Sequence, residues 1–207
     1  AGASSSALLL KTRVAMSNAS ILFAKSPMAG KVKTRLIPAL GAEKAAEIYR
    51  CLLLRNVALL ERADGTENHI FVGGDSDLAF FKDFKDWKLH VQVSGGLGHR
   101  MNSAINSLLG IHSYVVLIGA DIADAQAADI EEAFMNLERG DDLVIGPSFD
   151  GGYWLIGTKR SDLSIFENIQ WSSPKVLDST IQAANDQDLR YSLISTRHDI
   201  DTPEDLH

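Results

Sequence analysis

The side chains with chemistry to offer gather at four places. Lys25, Lys31, Lys33 and Arg35 crowd one loop that also holds Pro27, Gly30 and Thr34. A short apolar run, Ile21 to Ala24, precedes the loop and has the length and flanks of a strand. A strand that ends in a glycine-containing, cation-rich turn suits phosphate, because side-chain cations and backbone N–H groups can face the same anion. The same composition also describes a solvated basic loop, and taken alone it leaves the two readings level. The acids come later. Asp121 follows the apolar run Tyr114 to Ile118, and Asp199 and Asp201 follow Tyr191 to Ile194. Paired carboxylates suit a hard divalent ion such as magnesium, which takes oxygen ligands and phosphate partners. The fourth place is Asp150-Gly151-Gly152, a turn signal whose glycines permit a close backbone approach.

Each feature also has a plainer reading. Asp121 could cap the helix after it. Asp201-Thr202-Pro203-Glu204 reads as a helix start, with Thr202 as cap and Pro203 at the first helical position. His99 and His198 stand alone in sequence and read as surface or packing residues. Trp87, Trp154 and Trp171 are too scattered to form a stacking platform, so core or rim packing is their default.

The elements that must position these residues alternate. Strands are expected at Ile21 to Ala24, Asn68 to Val72, Leu89 to Val93, Tyr114 to Ile118, Leu143 to Ile145, Tyr153 to Ile156 and Tyr191 to Ile194. The unbroken apolar run Tyr114 to Ile118 predicts a strand buried on both faces. Helical spacing covers Gly41 to Arg62, the stretch after Gly98 with Met101, Ile105 and Leu108, the stretch with Ala127, Ile130, Phe134 and Leu137, and Pro174 to Ala184. Phe80, Phe81 and Phe84 read as a short helical segment used for core or lid packing. Strand–helix alternation gives an α/β class, and in an open α/β sheet ligands bind beyond the carboxyl ends of the strands. The basic loop, Asp121 and the Asp199/Asp201 pair all follow strands, so topology predicts that they converge.

Of 207 residues, 45% are hydrophobic and 23% charged, an ordinary globular composition that can bury a core. Length and the absence of linkers favour one domain over residues 18–207, with residues 1–17 a leader or disordered tail and Met16 a candidate natural start. The one cysteine, Cys51, excludes an intramolecular disulfide and a Cys-based zinc site, and reads as a small residue on a helix face. No apolar run is long enough to span a bilayer, so the cytoplasm is the default expectation. Net charge is −7, which argues against nucleic-acid binding. The charge is unevenly spread: residues 1–42 carry +6 with no acid, and the rest carries −13. An acidic chain with one acid-free basic loop suits a small polyanion.

The stretch from Lys25 to Leu36, KSPMAGKVKTRL, resembles the opening motif of a bacterial family of glycosyltransferase-like, "selenodomain-associated" transferases. The likeness continues at Leu97-Gly98-His99-Arg100-Met101, at Gly119-Ala120-Asp121, from Gly146 to Gly157 (GPSFDGGYWLIG), at Trp171-Ser172 and from Asp199 to Leu206. That family is similar to 2-phospho-L-lactate guanylyltransferase and the molybdenum-cofactor guanylyltransferases. The resemblance implies the GT-A fold, a Rossmann-like nucleotide-diphospho-sugar transferase architecture with a mainly parallel sheet flanked by helices. It implies that Lys25, Pro27, Gly30, Lys31, Lys33, Thr34 and Arg35, with Gly96, Gly98 and Arg100, hold a nucleotide's phosphates. Lys33, Arg35 and Asp121 are the implied catalytic residues. Asp121 and Asp201 are the implied metal ligands, with Asp199 as the alternative to Asp201. Asp150, Gly151, Gly152 and Tyr153 would line the acceptor side. The chain departs from the family pattern at Ala123, where proline is usual, at His99, where glutamate is usual, and at Gly96, where aspartate is expected.

Three functions follow. One is a magnesium-dependent (or manganese-dependent) nucleotidyltransferase that moves a nucleotidyl group from a nucleoside triphosphate to a phosphorylated small molecule. Four loop cations suit a triphosphate. The second is a glycosyltransferase with a nucleotide-sugar donor, although Asp121-Ile122-Ala123-Asp124 lacks the Asp-x-Asp spacing. The third is a non-catalytic nucleotide-binding domain. The expected partners are small phosphorylated or sugar substrates, with no nucleic acid and no membrane span; a homodimer is one oligomeric state left open.

Overall fold

The computed structural model describes residues 17–74 and 77–206. The expected leader falls almost wholly outside the described residues. The first strand, β1 (Asn18–Ala24), begins three residues earlier than its apolar run. After the basic loop and a 3-10 turn at Thr34–Leu36 come α1 (Ile37–Leu40) and α2 (Ala42–Leu60). Then follow β2 (Thr66–Val72), a 3-10 turn at Leu78–Phe81, β3 (Lys88–Val91) and α3 (Leu97–Leu109). The second half holds β4 (Val115–Gly119), α4 (Ala127–Glu138), β5 (Leu143–Pro147), β6 (Tyr153–Thr158), α5 (Val176–Asn185) and β7 (Tyr191–Leu193).

All seven strands join one sheet in the order β3-β2-β1-β4-β6-β5-β7. Every pairing is parallel except those of β6, which runs antiparallel to β4 and β5. The reversal comes from the turn at Asp150-Gly151-Gly152, which makes β5 and β6 a hairpin with Pro147 opposite Tyr153. This is the expected mixed α/β fold with a mostly parallel sheet between helices.

The strand alternation splits the core in two. Leu22, Ile70, Val116 and Ile118 point to the face covered by α2 and α4, where Leu53, Leu60, Ile130 and Leu137 pack. Ile21, Phe71, Val115 and Leu117 point to the other face, with Met101, Ile105 and Leu108 of α3. Burial on both faces explains why β4 reads as an unbroken apolar run. At the edge, β3 ends at Val91 where a strand to Val93 is expected. Gly95 turns the chain there, with φ 119°. No helix among the described residues is long and apolar enough to cross a membrane.

Two features position a site. Strand order reverses direction at β1, which lies between β2 and β4. In a parallel sheet, such a switch point opens a crevice at the carboxyl ends of the two strands. The loops that leave β1 and β4 carry Lys25 to Arg35 and Asp121.

Candidate nucleotide and metal site

The loop after β1 is a built object. Lys25 N donates to the hydroxyl of Tyr49 on α2, at 2.9 Å, and Ser26 Oγ donates to the Asp77 carbonyl. Met28 N and Lys31 N close two tight turns on Ser26 O and Met28 O, and Gly30 sits at φ 79°. Tyr49 is buried beneath the loop, and burial pushes its phenol well above the usual value. Lys33 takes the left-handed conformation, φ 44° and ψ 45°. For a residue with a Cβ this costs roughly 1–2 kcal/mol, so something must hold it there.

The hold is electrostatic. Lys33 Nζ donates to Asp121 Oδ2 at 3.0 Å and to Asp201 Oδ1 at 2.7 Å. The Lys33 side chain is 4% exposed, whereas Asp121 and Asp201 remain 36% and 42% exposed. Burial would lower the Lys33 pKa, yet the two carboxylates more than offset it and hold the ammonium above its ordinary value. Arg35 Nη1 stands 3.8 Å from Asp201 Oδ2. Asp121 sits just beyond β4, and a Cβ on Gly119 would come 2.8 Å from its carboxylate, so that position needs a glycine or a displaced Asp121. The closing segment is pinned beside it: Ile200 N donates to Asp121 O, Ala123 N donates to His198 O, and Ile122 bridges Asp199.

A cleft of about 480 Å³ opens over these groups. Lys25, Lys31, Lys33, Thr34, Arg35, Arg100, Asp121 and Asp201 line it. A second cavity of about 230 Å³ adjoins it, lined by Ser148, Asp150, Gly152, Tyr153, Trp171 and Asp199. The two share Leu97, Met101, Gly119, Asp121, Tyr153 and Trp154 as a common wall. Asp199 therefore faces the second cavity, while Asp201 faces the first. Burial, followed by repulsion from Asp150, Asp121 and Asp201, pushes the Asp199 carboxyl up to about 6.

Pro27, Gly30, Gly96, Gly98 and Gly151 shape the walls without lining either cavity. Gly96 caps α3 with its backbone carbonyl, which accepts from Arg100 N. Gly98 is buried, and a Cβ there would come 2.7 Å from both the Phe166 carbonyl and the Trp171 ring. Pro27 and Gly30 shape the basic loop. Gly151 O accepts from Leu177 N at the start of α5, while Asp150 Oδ1 accepts from Gly152 N. A last 3-10 turn, Pro203–Leu206, begins at Pro203 as expected, with Thr202 just before it; the Thr202 hydroxyl donates to Asp205 Oδ2, and that carboxylate also accepts from Asp201 N and Thr202 N.

Sequence reasoning missed Tyr49 and Gln92. Gln92 lines the first cleft and accepts from Arg100 Nη1 at 2.7 Å, while donating to Phe71 O at 2.8 Å. It thereby fixes Arg100 at the start of α3, a helix whose first turn has no side-chain cap. Both residues read as ordinary helix and strand positions, and only the tertiary contact gives them a role.

Residues 56–173 match the family described as "Uncharacterized protein conserved in bacteria (DUF2064)". The chain belongs to that family. Among solved structures, this DUF2064 chain is similar to a Desulfovibrio desulfuricans G20 protein provisionally named a nucleotide-diphospho-sugar transferase. The identity is 33%, with a TM-score of 0.85, covering 91% of this chain and 84% of that one. It shares its fold with 4-diphosphocytidyl-2C-methyl-D-erythritol synthase from Anaerococcus prevotii DSM 20548, at 14% identity, a TM-score of 0.62 and 93% of each chain. It also shares its fold with glucosyl-3-phosphoglycerate synthase from Mycobacterium tuberculosis, solved with Mn2+, UDP and phosphoglyceric acid. That match has 11% identity and a TM-score of 0.56, over 92% of this chain and 73% of that one. No curated protein matches the DUF2064 chain.

Proposed function

We propose that this protein is a metal-dependent nucleotidyltransferase, moving a nucleotidyl group from a nucleoside triphosphate to a phosphorylated small molecule. One observation carries the reading. A single cleft gathers Lys25, Lys31, Lys33, Arg35 and Arg100 with the carboxylates of Asp121 and Asp201, and a second acid-lined cavity abuts it at Asp121. Transferases of nucleotides and of sugars among the relatives support the class.

The residues fit a divalent ion. Asp121 and Asp201 already direct one oxygen each at a single cation, the Lys33 ammonium, and carboxylate oxygens suit magnesium or manganese. Such an ion, held by those two residues, would neutralise charge that develops on the phosphates. The loop cations bind the β- and γ-phosphates, and the start of α3, which has no side-chain cap, presents N–H groups to the same anion. Arg100, fixed by Gln92, clamps a phosphate oxygen. In the transfer, an acceptor phosphate oxygen attacks the α-phosphorus as the bond from that phosphorus to the bridging oxygen breaks. Pyrophosphate leaves with the electron pair, and Lys33 and Arg35 stabilise it. The attacking phosphate is already an anion, so no general base is required.

A second reading, glycosyl transfer from a nucleotide sugar, is favoured by Asp199 and Asp150 in the adjoining cavity. A sugar or hydroxyl acceptor needs a carboxylate to take its proton. The test incubates the protein with magnesium, each nucleoside triphosphate and a pool of phosphorylated metabolites. Pyrophosphate release that disappears in Asp121→Asn supports the first reading. Transfer only from a nucleotide sugar supports the second. Nucleotide binding with no turnover on either donor leaves a non-catalytic binding domain, and absence of nucleotide binding overturns the site assignment.

A further inference from the structure

We propose that Glu67, His69 and His112 form a second metal site, for a borderline transition ion such as Zn2+, at the opposite end of the sheet from the nucleotide cleft. Glu67 and His69 lie in the first half of β2, and His112 lies just before β4. The cleft lies beyond the other ends of the same strands. At about 3.3 Å per residue, the Glu67 backbone is roughly 15 Å or more from that end of β2.

The side-chain ligand atoms converge. One atom from each residue lies within 4.8 Å of the other two. His69 Nε2 is 2.9 Å from Glu67 Oε1, and His112 Nε2 is 3.3 Å from the same oxygen. Ligands on a tetrahedral Zn2+ with bonds of about 2.0–2.1 Å stand about 3.3 Å apart, so the His112 spacing matches an edge of a coordination shell and the 2.9 Å His69 spacing is somewhat short of one. The His69 and His112 side chains are 1% and 4% exposed. Neither Nε2 has a hydrogen-bond partner of acceptable geometry, which is costly for a buried polar atom.

The second nitrogen of each ring explains why. His112 Nδ1 lies 3.1 Å from both the carbonyl and the hydroxyl of Ser17, and a hydrogen bond to the carbonyl, which can only accept, puts the hydrogen on Nδ1. In the neutral ring that leaves the Nε2 lone pair aimed at Glu67, one acceptor facing another. His69 Nδ1 contacts His90 Nε2 at 2.9 Å, one nitrogen donating to the other, and where His69 is the donor its Nε2 is left as a lone pair. Backbone carbonyls and neighbouring acceptors that hold Nδ1–H are the usual outer supports of a metal-bound imidazole. A metal ion between the two Nε2 atoms and the Glu67 oxygen resolves the facing acceptors, as the opposite tautomer, with Nε2–H donating to Glu67, also would. Lys88 Nζ, on an exposed side chain, stands 2.6 Å from Glu67 Oε1. It marks a place where positive charge is favourable, and it is free to withdraw. Two imidazoles and a carboxylate are a zinc donor set with a coordination position left for water.

The test uses the full chain, stripped with a chelator, and Co2+ as a coloured stand-in for Zn2+. Imidazole-bound Co2+ of low coordination number absorbs strongly in the visible, whereas six-coordinate Co2+ on oxygen ligands is pale. We expect an intense band at one equivalent, displaced by Zn2+, lost or weakened more than about 10-fold in affinity in Glu67→Gln and His112→Gln, and retained in Asp121→Asn. Zn2+ at 100-fold over its Kd is also expected to raise Tm by roughly 5–10 °C in the wild type and not in Glu67→Gln. Glu67 is partly exposed, so its glutamine variant keeps the fold even where His112→Gln does not. No band in the wild type, or a band undiminished in Glu67→Gln, overturns the proposal. Neither outcome bears on the nucleotide cleft.

Discussion

Replacing Lys33 with methionine separates two roles that its ammonium combines. Lys33 Nζ occupies the place between Asp121 and Asp201 that the proposed function gives to a divalent ion, and on that reading the two cations compete. Breaking a fully buried pair costs about 3–5 kcal/mol, whereas an exposed pair is worth about 0–1 kcal/mol. Lys33 is buried but both aspartates are more than a third exposed, which places the contribution at about 1–2 kcal/mol. The left-handed backbone affects lysine and methionine alike and cancels from the comparison. With no nucleotide present, Lys33→Met should therefore bind Mn2+ about 5–30-fold tighter than the wild type. In chelator it should melt lower, by roughly 2–8 °C. The Mn2+ spin-resonance signal of free ion, titrated with protein, reads the affinity, and Lys33→Met combined with Asp121→Asn subtracts any other site. Transfer activity should fall even as metal binding tightens, because the leaving phosphate loses its cation. Mn2+ affinity equal to or weaker than that of the wild type would show that Lys33 does not stand where the metal goes.

Three further outcomes are expected. Asp121→Asn should lower turnover by about 10²–10³-fold, with circular dichroism unchanged, as pyrophosphate release under saturating nucleotide reports. Gln92→Leu frees Arg100 from its 2.7 Å support, so KM for the nucleotide should rise about 3–10-fold with little change in kcat. Arg197 makes a two-pronged contact to Asp129, at 2.6 and 2.9 Å, and Asp129 also accepts from Gln126 N at the start of α4. Arg197→Met strands that buried carboxylate and should cost about 2–3 kcal/mol in urea unfolding, with the transfer chemistry retained in the folded fraction.

The architecture was legible because its signals are local. Val115 to Ile118 is apolar at every position, and Met101, Ile105 and Leu108 keep helical spacing, so each declares a strand or helix without reference to the rest of the chain. Strand ends were less clear. Thr66 and Glu67 begin β2 as polar residues, because that end of the strand is only half buried. The antiparallel β6 hides in an apolar run that suits either direction. Its hairpin shows only in Asp150-Gly151-Gly152, a turn signal that does not by itself fix the direction of the strand after it. At the site, residue types identified the basic loop and the acids, but pairings could not be read. Lys33 meets Asp201 across 168 residues, and Asp199 and Asp201, two positions apart, line different cavities. His69 and His112 have no sequence signature at all, being brought together only by the crossover from β2 through α3.

That pairing also changes how the basic loop should be understood. Its four cations appear in sequence as a surplus waiting for a polyanion. In the fold, Lys33 is committed to two acids and Arg35 leans toward one of them, while Lys25 and Lys31 have no ion pair among the described residues. A polyphosphate that enters the cleft offers Lys33 a new anion as its aspartates are needed for a divalent ion. Nucleotide and metal should therefore favour each other's binding, and by linkage the factor must be the same in both directions. If Lys33 mediates that coupling, Lys33→Met should reduce it: the metal would bind tightly with or without nucleotide, and the nucleotide would bind less well in either case. Calorimetric titration of each ligand with and without the other measures the coupling. A coupling of undiminished size in Lys33→Met would assign it to direct contact between metal and phosphate instead.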